Sequence, residues 1–191
     1  MAAKTEVRFG GSGGQGVVFA AVVLGRAAVL DGRNVLQTQA YGAEARGSLT
    51  KSEVIISEGR IGFPAVRKSD ILVAMSQEAT AELVKDLRED GTLLVDGTSI
   101  RDVPPTGAKT LRIPATETAK RKFGDGLYAN MIMLGALVRA SGLVRAESVE
   151  EAIRSRGRKG AETNLDAFRE GLKLEPVLWP PREELSRPLP N

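Results

Sequence analysis

A loop built from glycine is the feature that most constrains this chain. Val7 to Val18 reads VRFGGSGGQGVV: a short apolar run enters, five of the seven residues from Gly10 to Gly16 are glycine, and a long apolar run leaves. The pattern predicts a strand, a loop and a helix in succession. Glycine tolerates positive φ and lets another group come close to the backbone. The helix that follows turns its unpaired N–H groups, and the positive end of its dipole, back toward the loop. Such a loop suits an anion, a phosphate above all. Gly11, Gly13 and Gly16 meet the G-x-G-x-x-G spacing of dinucleotide sites, whereas no Gly-Lys-Ser/Thr follows and a Walker loop is excluded. A tight turn that binds nothing needs fewer glycines than this.

Composition narrows the chemistry. At 191 residues, one domain with one sizeable core is expected. Hydrophobic residues at 42% and charged residues at 27% fit a soluble globular protein. No apolar run reaches the length of a membrane span, and MAAKTEVRF lacks the apolar segment of a signal peptide, so a cytoplasmic protein is expected. The chain has no cysteine and no histidine. It therefore offers no thiolate for an iron–sulfur cluster, no Cys/His zinc site and no imidazole for proton transfer near neutral pH. No catalytic residue and no metal site are expected on it, which favours a binding or subunit role. A net charge of +3 and an aromatic content of 4% do not make a stacking platform for nucleic acid. A small phosphate-bearing ligand fits better.

Along the chain, Thr5–Phe9 alternates as a first strand, and Val17–Leu30 reads as a buried helix stopped at Asp31-Gly32. Asn34–Gln39 is a second strand, so a β–loop–α–β unit with parallel strands opens the fold. After the polar loop Gln39–Ser48, Leu49–Ser57 alternates as a strand, and Arg60–Phe63 is read as the return of a short hairpin. Ile71–Met75 is an apolar run suited to a central parallel strand. Ser76 is placed as the cap of a helix over Gln77–Leu87 closed by Gly91, followed by a strand over Thr92–Val95. Lys109–Ile113 is read as an edge strand, and a short helix is expected over Thr116–Phe123. Leu127–Ser141 is a second long apolar helix. Ser148 and Glu151 are read as a capping box for a helix over Val149–Arg154, and Asn164–Gly171 as the closing helix. Strands alternating with helices predict an α/β fold: a three-layer, mostly parallel sheet with helices on both faces and some antiparallel edge strands. The folded domain is expected over 1–172. The stretch 173–191 holds five of the nine prolines and the single tryptophan, Trp179; it reads as an extended tail that docks on its own domain or on a partner.

A nicotinamide site would place an acid at the end of the second strand, to bind the ribose. That strand ends in Thr38-Gln39, and Asp31 sits at the turn before it, so the fingerprint is incomplete. Another set of residues carries a stronger likeness. GGSGGQGV at Gly10–Val17, QTQAYGAEARGS at Gln37–Ser48, SEVIIS at Ser52–Ser57 and ILVAMSQEA at Ile71–Ala79 occur in this order, with Asn164 and Gly171 in NLDAFREGL near the end. Together they resemble the γ subunit of the 2-oxoacid:ferredoxin oxidoreductases, most closely the 2-oxoglutarate type, over residues 5 to 172. Ser48 departs from the pattern, which usually has a second glycine after the arginine.

The resemblance implies CoA-dependent oxidative decarboxylation of a 2-oxoacid to an acyl-CoA, carbon dioxide and reduced ferredoxin. It implies that thiamine diphosphate, magnesium and the iron–sulfur clusters belong to partner subunits, while the γ chain contributes coenzyme A binding and assembly. It involves neither nucleic acid nor membrane. Gly11, Ser12, Gly13, Gly14, Gln15 and Gly16 would then cradle the coenzyme A phosphates through backbone N–H groups. Gln15 either bonds the ligand or caps the helix. Tyr41, Glu44, Arg46 and Ser48 are expected beside the glycine loop, with Arg46 contacting phosphate or partner, or else paired with Glu44. Asn130, at the head of an apolar helix, is a candidate for lining the cleft. Asp96 is read as a turn or cap residue, and the basic run Arg154–Lys159 as a solvated surface. The other readings are an NAD(P)-binding oxidoreductase domain and a free-standing CoA- or nucleotide-binding regulator.

Overall fold

Seven strands form one mixed sheet in the computed structural model, which describes residues 3–42, 48–155 and 160–179. The strands are β1 (Lys4–Ser12), β2 (Asn34–Tyr41), β3 (Leu49–Ser57), β4 (Ser69–Ala74), β5 (Leu87–Asp96), β6 (Lys109–Ile113) and β7 (Val177–Leu178). The helices are α1 (Val17–Leu30), α2 (Gln77–Leu83), α3 (Ala115–Phe123), α4 (Ala129–Ser141), α5 (Ala146–Arg154) and α6 (Ala161–Lys173). In space the strands run β2-β3-β1-β4-β5-β6-β7. β1, β4, β5 and β6 are parallel neighbours, and their carboxyl ends share one edge of the sheet.

The expected α/β architecture is present, with one rearrangement. β1 and β2 point the same way but are not neighbours: β3 lies between them, antiparallel to both. One antiparallel strand, β3, is therefore inserted inside the sheet, in addition to the expected antiparallel edge, where β7 runs against β6. An ion pair matches this insertion. Arg8 and Glu53 stand opposite each other on β1 and β3, and Arg8 is 1% exposed. Its Nε donates to Glu53 Oε1 at 2.8 Å and its Nη2 to the Val66 carbonyl at 2.9 Å. A one-residue slip of β3 would send these two side chains to opposite faces and leave buried charges unpaired, so the pair fixes the register.

The two faces carry unequal loads. Val7, Phe9, Val54, Ile56, Ile71, Val73 and Leu94 face a large core shared with α1, α3 and α4, on which α5 and α6 pack. The other face carries α2 over Leu72, Ala74, Leu93 and Val95. α4 and α6 cross at backbone contact: a Cβ on Gly135 would fall 2.2 Å from the Phe168 carbonyl oxygen, and one on Gly171 would fall 2.1 Å from that of Ile132.

Several boundaries differ from expectation for identifiable reasons. β1 runs on through Gly10 and Gly11, because both still pair with β3. The helix after Ser76 ends at Leu83, and a 3-10 turn over Val84–Asp86 leads into β5, so Leu87 is a strand residue. Gly91 lies inside that strand, where a Cβ would meet the Asp70 and Arg88 carbonyl oxygens within 3 Å. Arg60–Phe63 forms no strand. β6 is not an edge, because β7 pairs with it at Leu111 and Arg112. Past Lys173 the chain thus returns to the sheet: the Trp179 amide donates to the Thr110 carbonyl, and the Arg112 guanidinium lies 4.8 Å from the centre of the indole ring.

Ser148 does not cap α5; it is already inside that helix, and its hydroxyl donates to Asp31 at the end of α1. Asp31 also accepts from the Arg145 amide and from Arg145 Nε, each at 2.8 Å. Burial alone would raise its pKa; the hydrogen bonds from Ser148 and Arg145, and the Arg145 charge, outweigh that and hold it below the ordinary 3.8. A carboxylate depressed on folding stabilises the fold at every pH above its unfolded value, and the contribution is lost as pH falls through the folded value. Asp31→Asn should therefore cost roughly 1.5–3 kcal/mol near neutral pH, with the gap to wild type closing below about pH 4. Denaturation curves at the two pH values check this, and a gap that does not change with pH would contradict it.

Candidate functional site

The glycine loop leaves the carboxyl end of β1, and its shape comes from hydrogen bonds to three other parts of the fold. The Gln15 side chain makes the first link. Its Oε1 accepts from the Ser12 amide at 2.7 Å, and its Nε2 donates to the Met75 carbonyl, at the end of β4, at 2.8 Å. The second link runs from the Gly13 amide to the Ser48 carbonyl, just before β3, at 3.0 Å. The third comes from α4, where Asn130 Nδ2 donates to the Gly16 carbonyl at 3.1 Å. Within the loop, the Gln15 amide closes a turn onto the Ser12 carbonyl.

The glycines serve different ends. Gly10 and Gly11 are strand residues that allow close packing: a Cβ at Gly10 would sit 2.4 Å from Leu83 Cδ1, and one at Gly11 would sit 2.6 Å from Gln15 Oε1. Gly14 and Gly16 have positive φ, at +97° and +75°. Gly16 is the N-cap of α1, no side chain caps that helix, and its first turn holds no acidic residue. Among the described residues, the amides of Gly14, Gly16, Val17 and Val18 have no hydrogen-bond acceptor. The exposed loop thus presents a set of unused donors at the positive end of a 14-residue helix. That arrangement can bind an anion.

The sequence-predicted residues fall into three groups. Gly11 to Gly16 and Ser48 come together, Ser48 through its backbone carbonyl. Tyr41 ends β2 on the same edge; it pairs with Thr50, which pairs with Gly11, so it stands two strand spacings away, about 10 Å. Its ring is exposed. Glu44 and Arg46 lie outside the described residues, as does 156–159 of the basic run. Gln15 does not cap α1: its carboxamide is tied to the Ser12 amide and the Met75 carbonyl, which uses one acceptor site of the oxygen and one of the two N–H groups. Asn130 does not line an open cleft: it is 3% exposed beneath Gly16, and its Oδ1 has no partner. Sequence alone could not show either role, because the acceptors are backbone carbonyls that carry no residue identity.

Two acids are accounted for structurally. Asp96, fully buried, accepts from the Thr98 and Thr116 amides and from the Ser99 and Thr116 hydroxyls, joining β5 to the start of α3. Asp31, occupied by Arg145 and Ser148, lies at the far end of α1, some 20 Å from the loop by helix rise. It is not placed to hold the ribose of a nicotinamide dinucleotide. Among the described residues, no cluster of acids could hold a metal ion, and no helix is long and apolar enough to cross a membrane. Farther along the same sheet edge, Gly97, Arg112, Pro114, Glu117, Val177 and Leu178 line a cavity of about 280 Å³.

Known proteins share this sequence and fold. The pyruvate ferredoxin/flavodoxin oxidoreductase family matches residues 6–174. The chain belongs to that family. It is 45% identical to the 2-oxoglutarate synthase subunit KorC of Methanothermobacter marburgensis, over 90% of this chain and 96% of the relative. Among solved structures, the keto/oxoacid ferredoxin oxidoreductase γ subunit of Geobacter sulfurreducens superposes with a TM-score of 0.78 at 40% identity, covering 88% of this chain and 96% of that one. The fold also recurs, at 23% identity and a TM-score of 0.78, as 30% of a chain of the 2-oxoglutarate:ferredoxin oxidoreductase of Magnetococcus marinus, where the likeness shows the fold alone.

The loop geometry separates two substitutions. Gly14→Ala pays for a left-handed backbone, about 1–2 kcal/mol, but its Cβ meets nothing within 4 Å. Gly16→Ala pays the same and also drives its Cβ to 2.1 Å from Asn130 Nδ2. Thermal melts should show the larger loss for Gly16→Ala; equal losses would contradict the described packing of Asn130.

Proposed function

We propose that this chain is the γ subunit of a cytoplasmic 2-oxoglutarate:ferredoxin oxidoreductase complex. The observation that carries the reading is the 45% identity to a 2-oxoglutarate synthase subunit across nearly the whole of both chains. The complex would convert 2-oxoglutarate and coenzyme A to succinyl-CoA and carbon dioxide, and pass the released electron pair to ferredoxin. Thiamine diphosphate, magnesium and the clusters would lie on partner subunits, which agrees with a chain that has neither cysteine nor histidine. Residues 1–172 form the γ domain in this reading, and 173–191 a tail.

This chain's own task would be to hold coenzyme A and to complete the assembly. Supporting that assignment are the unused amides of Gly14, Gly16, Val17 and Val18 at the positive end of α1, where a pyrophosphate would be stabilised. Arg46 and Glu44, with Tyr41 and Ser48, would flank the bound molecule, Arg46 pairing with a phosphate. The thiol end would then reach toward the acyl intermediate on the partner.

Expression with its partner chains tests the reading. The chain should co-purify with thiamine- and cluster-bearing subunits, and the assembly should reduce ferredoxin with 2-oxoglutarate in a CoA-dependent way. In that assembly Arg46→Ala should raise the KM for CoA about ten- to hundredfold and leave the KM for 2-oxoglutarate unchanged. A chain that purifies with no such partner would overturn the subunit assignment; an unaltered CoA constant would remove Arg46 from the site.

A further inference from the structure

The loop is supported by two carboxamides where the isosteric carboxylates would also fit, and the choice has a chemical reason. Gln15 uses both polarities of its amide: the oxygen takes a proton from the Ser12 amide at 2.7 Å, and the nitrogen gives one to the Met75 carbonyl at 2.8 Å. A carboxylate could keep the first bond but would set an acceptor against the Met75 carbonyl. Asn130 donates to the Gly16 carbonyl and is admitted to that position because Gly16 has no Cβ. A carboxylate there would have no proton to give. In both cases the negative form would stand beside the start of α1, whose first turn holds no acidic residue.

We propose that Gln15 and Asn130 are positioning residues that hold the entry to α1 in its anion-accepting shape, and that their neutrality is what the site requires. The proposal rests on the reading of this loop as the binding site for the phosphates of coenzyme A. Both are assigned support of the loop: the Gln15 carboxamide is held to the Ser12 amide and the Met75 carbonyl, and Asn130 is buried beneath the loop. They act through the backbone, Gln15 by tying the loop to the end of β4 and Asn130 by tying it to α4. A negative charge in either place opposes a bound phosphate over a few ångströms, where Coulomb repulsion is worth about a tenfold or greater change in affinity.

The test compares two thiol acceptors in the assembled complex, coenzyme A and pantetheine, which lacks the phosphates. Gln15→Glu and Asn130→Asp should each raise the KM for CoA about tenfold or more. They should leave kcat, the KM for pantetheine and the KM for 2-oxoglutarate close to wild type. Gln15→Met, which removes both hydrogen bonds without adding charge, should raise the CoA constant less than Gln15→Glu; it also supplies a reading if the acidic variant fails to assemble. An unchanged CoA constant in all three variants would overturn the proposal. So would a loss shared equally by CoA and pantetheine, because a merely structural role would not discriminate phosphates. If the wild-type complex uses pantetheine as well as it uses CoA, the phosphate reading of the loop fails before the variants are considered, and that outcome is distinct from the other two.

Discussion

The unsatisfied amides at the start of α1 are the constraint around which this structure is arranged. A helix of 14 residues, almost wholly apolar, begins at a solvent-exposed loop with no side-chain cap and no acid in its first turn. Capping would ordinarily satisfy those donors and stabilise the helix by about 1 kcal/mol. The Gln15 side chain, next to the start of the helix, is turned instead to Ser12 and Met75. The loop spends its other amides internally, on the Ser12 and Ser48 carbonyls. What remains unpaired is concentrated in one place, at the positive end of the helix dipole.

That concentration depends on the topology. β1, β3 and β4 meet at the loop, and each supplies one backbone contact: Ser12 from the end of β1, Ser48 from just before β3, Met75 from just after β4. The Ser48 contact exists only because β3 runs antiparallel between β1 and β2, so that its first residues arrive at the edge where β1 ends. Arg8 and Glu53, buried and opposite each other, hold that register. A buried pair of this kind is weak evidence for net stability; its consequence is for pairing, since a one-residue slip would strand a charge.

Much of this was legible in the sequence because it is local. Alternation, with the Glu58-Gly59 turn and Pro114 beside it, gives the same bounds as the structure for Leu49–Ser57 and Lys109–Ile113. The glycine-rich entry to α1 is evident from the run of residues Gly10 to Gly16, and the ordered blocks that resemble the 2-oxoacid:ferredoxin oxidoreductases agree with the family to which the chain belongs. What sequence could not show were contacts made across the chain. Ser148 and Glu151 have the spacing of a capping box, yet the Ser148 hydroxyl serves Asp31 from another helix. Leu87 has helical spacing from Leu83, but β4 offers it a pairing partner at Ser69 and it starts a strand. Sequence reads Gln15 as a ligand contact or a helix cap and Asn130 as lining a cleft; that both donate to backbone carbonyls, and so support the loop from within, follows only from where β4 and α4 pass.

The account centres on the claim that the backbone from Ser12 to Val18 is where the phosphates of coenzyme A are held. Hydrogen exchange on the assembled complex, with and without coenzyme A, reads those amides directly. Bound coenzyme A should slow exchange in peptides spanning the loop and the first turn of α1, while pantetheine should leave them unchanged. A complex that turns over coenzyme A with no added protection in that stretch would contradict the claim.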